Sequence, residues 1–160
     1  MAAASADIRL VAGAFDPAAE LAAFAATHRG AGGVVSFLGQ VRAEGEVEAL
    51  ELRVYEPLTT AGMRELGAEA LRRWAIDGLL VIHRHGVMTP GEAIVFVAAA
   101  ARHRRDAFAA ADFTMDHLKS ESWFWKREQV AGAWRWIEPR AADYTDLERW
   151  RAPAAESPGV

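Results

Sequence analysis

The amino-acid sequence predicts an α+β domain, and three observations carry that prediction. Leu50, Leu52 and Val54 alternate with Glu51, Arg53 and Tyr55, the period-two pattern of a half-buried strand. Met63, Leu66, Ala70, Leu71 and Trp74 follow at helical spacing. Two apolar runs, 79–87 and 93–101, are joined by Met88 to Glu92, whose Pro90-Gly91 pair signals a turn, so together they predict a hairpin.

Taken in order, Ile8 to Phe15 reads as a short strand. Asp16 and Pro17 then supply an N-cap and a first-turn proline for a helix through Leu21 and Phe24 to about His28, ended by Gly30 to Gly33. Val34 to Arg42 has the β-branched density of a buried strand, and the polar run Ala43 to Glu46 makes a flexible connection. Pro57 closes the alternating strand, Thr59 or Thr60 caps the next helix, and Gly78 lies just past its end. After the 79–101 hairpin a helix begins near His103. Trp123 to Glu128 and Trp134 to Glu138 flank Gln129 to Ala133 as an aromatic-rich hairpin, and Asp143 to Trp150 reads as a short helix. Residues 1–151 make a single domain in this reading, and 152–160 form a polar, proline-containing tail expected to be disordered.

Composition narrows the functions available. A chain of 160 residues, half apolar and a quarter charged, has the make-up of one soluble domain with a real core. Its net charge of −4 argues against general affinity for nucleic acid or an anionic membrane, so an anion would need a local cluster of Arg and Lys. With no cysteine there is no thiolate nucleophile and no sulfur-based metal site, and any sulfur chemistry must import its sulfur. His83, His85, His103 and His117 lack the spacing and carboxylate partners of a metal site, and none is expected. No secretory leader or apolar span of 18 residues is evident, which makes the cytoplasm the expected location.

The cations around the central helix stand out. At 100° per residue from Phe108, Ala111, Met115 and Leu118 fall at about −60°, −20° and −80°, and Lys119 falls at about +20°, inside that apolar stripe. An ammonium there either meets an anion or snorkels along its own stem into water. In the following strand, alternation puts Phe124, Lys126 and Glu128 on one face and Trp123, Trp125 and Arg127 on the other. Lys126 is then either a neighbour of Lys119 or half of a surface pair with Glu128. Arg42 sits where a strand meets a mobile loop, as an anion ligand or as an exposed strand end.

These segments also carry a resemblance. Phe37 to Arg42, Val81 to Gly86, Pro90 to Val97, His103-Arg104 with Ala107-Phe108, Met115 to Lys119, Phe124 to Glu128 and Trp134 to Arg140 are similar to the large catalytic subunit of molybdopterin synthase, the MoaE family, over about residues 8 to 150. The resemblance implies an α/β hammerhead-type fold, an antiparallel sheet with flanking helices. It implies sulfur transfer from the C-terminal Gly-Gly thiocarboxylate of a small ubiquitin-like carrier to cyclic pyranopterin monophosphate, forming the dithiolene of molybdopterin, with no permanently bound cofactor. It further implies a homodimer within a heterotetramer, with neither nucleic acid nor membrane as a partner. By matching position it makes Lys119 and Lys126 catalytic, and Gln40, Val41, Arg42, His103, Arg104, Arg127, Glu128 and Arg140 substrate-binding. The 43–46 connection is shorter than the family pattern, and Trp123 stands where a smaller residue or proline is expected. Two rival readings are a carrier-binding relative without activity and a module stacking single-stranded nucleic acid on the tryptophans, the second disfavoured by the acidic net charge.

Overall fold

The computed structural model describes residues 2–120, 123–138 and 140–151. Its elements are β1 (Ser5–Val11), α1 (Pro17–Thr27), β2 (Gly33–Gln40), β3 (Val47–Val54), α2 (Leu58–Arg73), β4 (Ile76–Arg84), β5 (Gly86–Met88), β6 (Ala93–Ala101), α3 (Arg104–Ser120), β7 (Phe124–Val130), β8 (Ala133–Ile137) and α4 (Ala141–Glu148). They build two four-stranded sheets, ordered β1-β4-β6-β2 and β5-β3-β7-β8. The tail expected to be disordered lies outside the described residues. No helix among the described residues is long and apolar enough to cross a membrane.

The first sheet is covered on both faces, which explains the unbroken apolar runs of its central strands. Leu79 and Val81 of β4 and Val97 and Ala99 of β6 face α2 and α3, packing with Met63, Leu66, Ala110, Phe113 and Leu118. The alternate residues Leu80, Ile82, Phe96, Ala98 and Ala100 pack with Phe24 of α1. Ala98 to Ala101 are fully buried, and their small side chains let the helices approach the strand closely.

Among the described residues the strand pairings are antiparallel except that β1 runs parallel to β4, so the expected antiparallel-rich architecture forms with one mixed sheet. A single strand over 79–87 does not form. The chain leaves β4 at Arg84, turns at Gly86 with φ of +94°, and enters β5, which pairs with β3 in the second sheet. Only glycine takes that backbone conformation without strain. The 79–101 hairpin survives as the β4–β6 pair, from Ile76 opposite Ala101 to His83 opposite Val95.

Thr59 is not a helix cap. It is buried within α2, where its hydroxyl accepts from the Tyr55 N–H at 2.9 Å and donates to the Trp123 carbonyl at 2.7 Å. The Glu56 carboxylate takes the capping role instead, accepting from the Thr60 N–H at 3.0 Å. Trp123 lies against Gly62 so closely that a Cβ there would fall 2.3 Å from the indole. The large residue at 123 is thus matched by a missing side chain on α2.

The aromatic hairpin forms with a tighter turn than the expected Gln129 to Ala133 connection. β7 and β8 pair from Lys126 opposite Ile137 to Val130 opposite Ala133, closed by Ala131 and Gly132, both at positive φ. α4 begins two residues before the expected Asp143, because Asp143 itself accepts from the Arg140 N–H at 3.1 Å and so closes the first turn.

Candidate functional site

The candidate residue Lys126 lies on β7 opposite Leu52 of β3 and Ile137 of β8, on the face it shares with Phe124 and Glu128. Its pKa is lowered from the ordinary lysine value, first by desolvation and then by the charges of Arg140, Lys119 and Arg42, with Glu128 opposing them. Three further cations, Lys119 at the end of α3, Arg42 after β2 and Arg140 at the cap of α4, thus lie near enough for their charges to act on Lys126, and all four residues are exposed.

Lys119 projects outward. The buried arc of α3 comprises Ala107, Ala110, Ala111, Phe113, Thr114, Met115 and Leu118, whereas Phe108 is 59% exposed and Lys119 is exposed as well. The expectation that Lys119 lies inside the apolar stripe is corrected: it shares a direction with Phe108, and both fall outside the arc. A cation in the last turn suits the helix dipole, and this side chain is left clear for the site. Ser120 fixes the junction beside it, its hydroxyl donating to the Asp143 carbonyl at 2.8 Å and tying the end of α3 to the start of α4.

Glu128 accepts from Arg135 of β8 at 2.8 and 2.5 Å, so it is held by its cross-strand neighbour and is not simply a surface partner of Lys126. Arg127 points to the other face. It pairs with Glu51 and lies over Trp134 and Trp136, with centroid distances of 4.5 and 5.6 Å, beside the exposed Trp125. The structure therefore does not bring the Arg127 side chain together with Lys126. Gln40 is exposed at the end of β2, next to a register shift, and Val41 is buried. Arg42 has Glu44 3.8 Å away, both well exposed.

His103 and Arg104 are exposed at the opposite end of α3 from Lys119. Fifteen residues of helix separate Arg104 from Lys119, about 22 Å of rise. Within one chain they do not converge.

Beneath the site, His83 stacks on Phe124 with ring centroids 3.9 Å apart. Its Nδ1–H donates to the Arg84 carbonyl at 3.0 Å, and burial pushes its pKa down to about 4. Because the folded-state value lies below the unfolded one, the stabilisation is complete above about pH 6.5 and is lost as pH falls toward 4. The difference amounts to roughly 3 kcal/mol. Denaturant midpoints of the wild type should fall through this window and those of His83→Gln should fall much less; parallel curves would refute the assignment.

Against this geometry, the comparisons with known proteins are consistent. The family model described as MoaE protein matches residues 10–121. The molybdopterin synthase catalytic subunit of Caulobacter vibrioides is 48% identical over 137 residues, covering 85% of this chain and 91% of the relative. That of Pseudomonas aeruginosa is 43% identical over 146 residues, covering 89% and 97%. Among solved structures, the molybdopterin biosynthesis MoaE protein of Burkholderia ambifaria superposes with a TM-score of 0.78 at 41% identity, covering 91% of this chain and 97% of that one. A complex of subunits 1 and 2 of the molybdopterin-converting factor of Helicobacter pylori has the same fold, with a TM-score of 0.73 at 19% identity. A matched family model over most of the chain, relatives at this identity and the shared fold lead to one conclusion: the chain belongs to the MoaE family, the molybdopterin synthase catalytic subunits.

Proposed function

We propose that this subunit catalyses sulfur transfer from the C-terminal thiocarboxylate of a small ubiquitin-like carrier to cyclic pyranopterin monophosphate, two transfers completing the dithiolene of molybdopterin. The reading is supported by the placement of Lys126 on β7 with the charges of Lys119, Arg42 and Arg140 acting on it. Both reactants are anions, one through its thiocarboxylate and the other through its cyclic phosphate. Attack by sulfur on the pterin side chain also develops negative charge on the oxygen that leaves. Preorganised cations, once the carrier and substrate cover them, bind those groups and stabilise that charge far better than water does. The sulfur arrives with the carrier, since the chain has no cysteine of its own.

In this mechanism Lys119 and Lys126 act at the reacting centre, with Lys126 held by the sheet and Lys119 by the end of α3. Arg42 and Arg140 bind anionic groups of the substrate, Gln40 and Val41 line the approach from β2, and Glu128 holds the Lys126 ammonium in charge balance. His103 and Arg104 contribute from a second copy of the chain. A C₂ dimer then carries two equivalent composite sites, and one carrier on each side completes a heterotetramer. The reaction belongs to the cytoplasm in this reading.

A single-turnover reaction with a thiocarboxylated Gly-Gly carrier tests the proposal. Dithiolene product should form in proportion to the thiocarboxylate consumed. Carrier binding without product would reassign the chain as a non-catalytic carrier-binding subunit.

A further inference from the structure

Arg84 and Glu92 lie outside the cation cluster, and the chemistry above gives them no part. Arg84 ends β4 with its side chain only 11% exposed, and its Nη1 donates to Glu92 Oε1 at 3.0 Å. The other carboxylate oxygen of Glu92 accepts from the Thr89 N–H at 2.5 Å and from the Thr89 hydroxyl at 3.0 Å. The turn between β5 and β6 is thereby closed on itself, with Gly91 at φ of +90° at its tip. This turn then grips the segment after β2 on both backbone groups of one residue. The Val41 N–H donates to the Glu92 carbonyl at 2.9 Å, and the Val41 carbonyl accepts from the Gly91 N–H at 2.8 Å. Val41 is buried with Leu50, Leu52 and Met88, and the next residue is Arg42.

Stability alone explains the pair poorly. Buried or half-buried ion pairs are often no more stabilising than apolar residues of the same volume. Here the Arg84 Nε is also buried among the described residues with no hydrogen-bond partner, which a methionine would avoid. What the pair does achieve is geometric, because it fixes the turn that fixes Val41.

We propose that Arg84 and Glu92 are positioning residues for sulfur transfer: their ion pair sets the Thr89–Glu92 turn, the turn clamps Val41, and the clamp holds the Arg42 guanidinium where it meets the anionic substrate beside Lys126. This rests on the reading of Arg42 as a substrate ligand. Loss of the pair frees Arg42 to swing with the 43–46 connection, which weakens substrate binding without removing any group that acts at the reacting centre. The signature is therefore a change in KM for the cyclic pterin with kcat retained.

The test is a double-mutant cycle read in steady state with thiocarboxylated carrier. Glu92→Gln and Arg84→Met should each raise KM for cyclic pyranopterin monophosphate about tenfold, with kcat within about twofold of wild type. In an Arg42→Ala background the same substitutions should change KM by less than about twofold, because their effect passes through Arg42. Equal KM effects in both backgrounds would overturn the inference while leaving Arg42 a ligand. So would a change in thermal midpoint alone, or loss of folding in both variants, which would assign the pair to stability. A wild-type KM for Arg42→Ala would remove the reading of Arg42 itself, and the inference with it.

Discussion

Lys119→Ala should reduce single-turnover sulfur transfer by about 10³-fold or more, the scale on which a preorganised charge acts at a reacting centre. The fold should be untouched. Lys119 is exposed in the last turn of α3 and lies outside the arc that packs on the sheet, so its side chain fills no core volume. Its removal forfeits a favourable cation at a helix C-terminus, worth about 0.3–1 kcal/mol. Carrier binding, followed by titration calorimetry, should persist. Lys126→Ala is the natural comparison. It removes one cation whose charge environment Lys119, Arg42 and Arg140 share, so turnover should fall severely but less completely, since those three remain. Near-normal turnover of Lys119→Ala would remove the role assigned to it. A thermal midpoint collapsing in parallel with activity would instead make the residue structural.

The route by which the sequence reached Lys119 differs from the reason the structure gives. Helical projection placed it inside an apolar stripe because large residues weighted the stripe toward Phe108. The real buried arc is built heavily from alanines, Ala107, Ala110 and Ala111, facing the alanine run of β6. Alanine carries little hydrophobic signal in a projection but allows the closest helix-to-strand packing. The projection therefore counts Phe108 as core, whereas it is exposed. What marks Lys119 as a candidate is the resemblance of its segment, not its angle.

Alternation fared better in the strands. It separated Lys126 from Arg127 in the sequence, and the structure places them on opposite faces, with Arg127 stacked among Trp134 and Trp136. Arg127 is a candidate only through the resemblance at its own position, and no local pattern marks it. Where local signals were silent, the sequence reading failed in a definable way. β5 is three residues long and is created by one glycine at positive φ, and the β7–β8 turn uses Ala131, a residue that advertises no turn. The Arg84–Glu92 pair was equally hidden, because its meaning lies in a third strand, which its turn grips at Val41.

Mixing a Lys119→Ala protomer with an Arg104→Ala protomer should restore activity that neither homodimer has. Arg104 starts α3 and Lys119 lies in its final turn, about 22 Å away along the axis, so one small substrate cannot be gripped by both within a chain. If each site takes Lys119, Lys126 and Arg42 from one protomer and His103 and Arg104 from its partner, each Lys119→Ala homodimer lacks a lysine at both sites. Each Arg104→Ala homodimer lacks an arginine at both. In a mixed dimer both substitutions fall at one site, and the other site carries neither. Free exchange of equal amounts makes half of the dimers mixed, each with one intact site, so activity should return to about a quarter of the wild-type level. Subunit exchange is verified by native mass spectrometry on protomers of different mass, and turnover is measured on the same sample. Verified mixed dimers that stay inactive, with Arg104→Ala inactive alone, would place Arg104 and Lys119 of one chain at the same site and end the shared-site model.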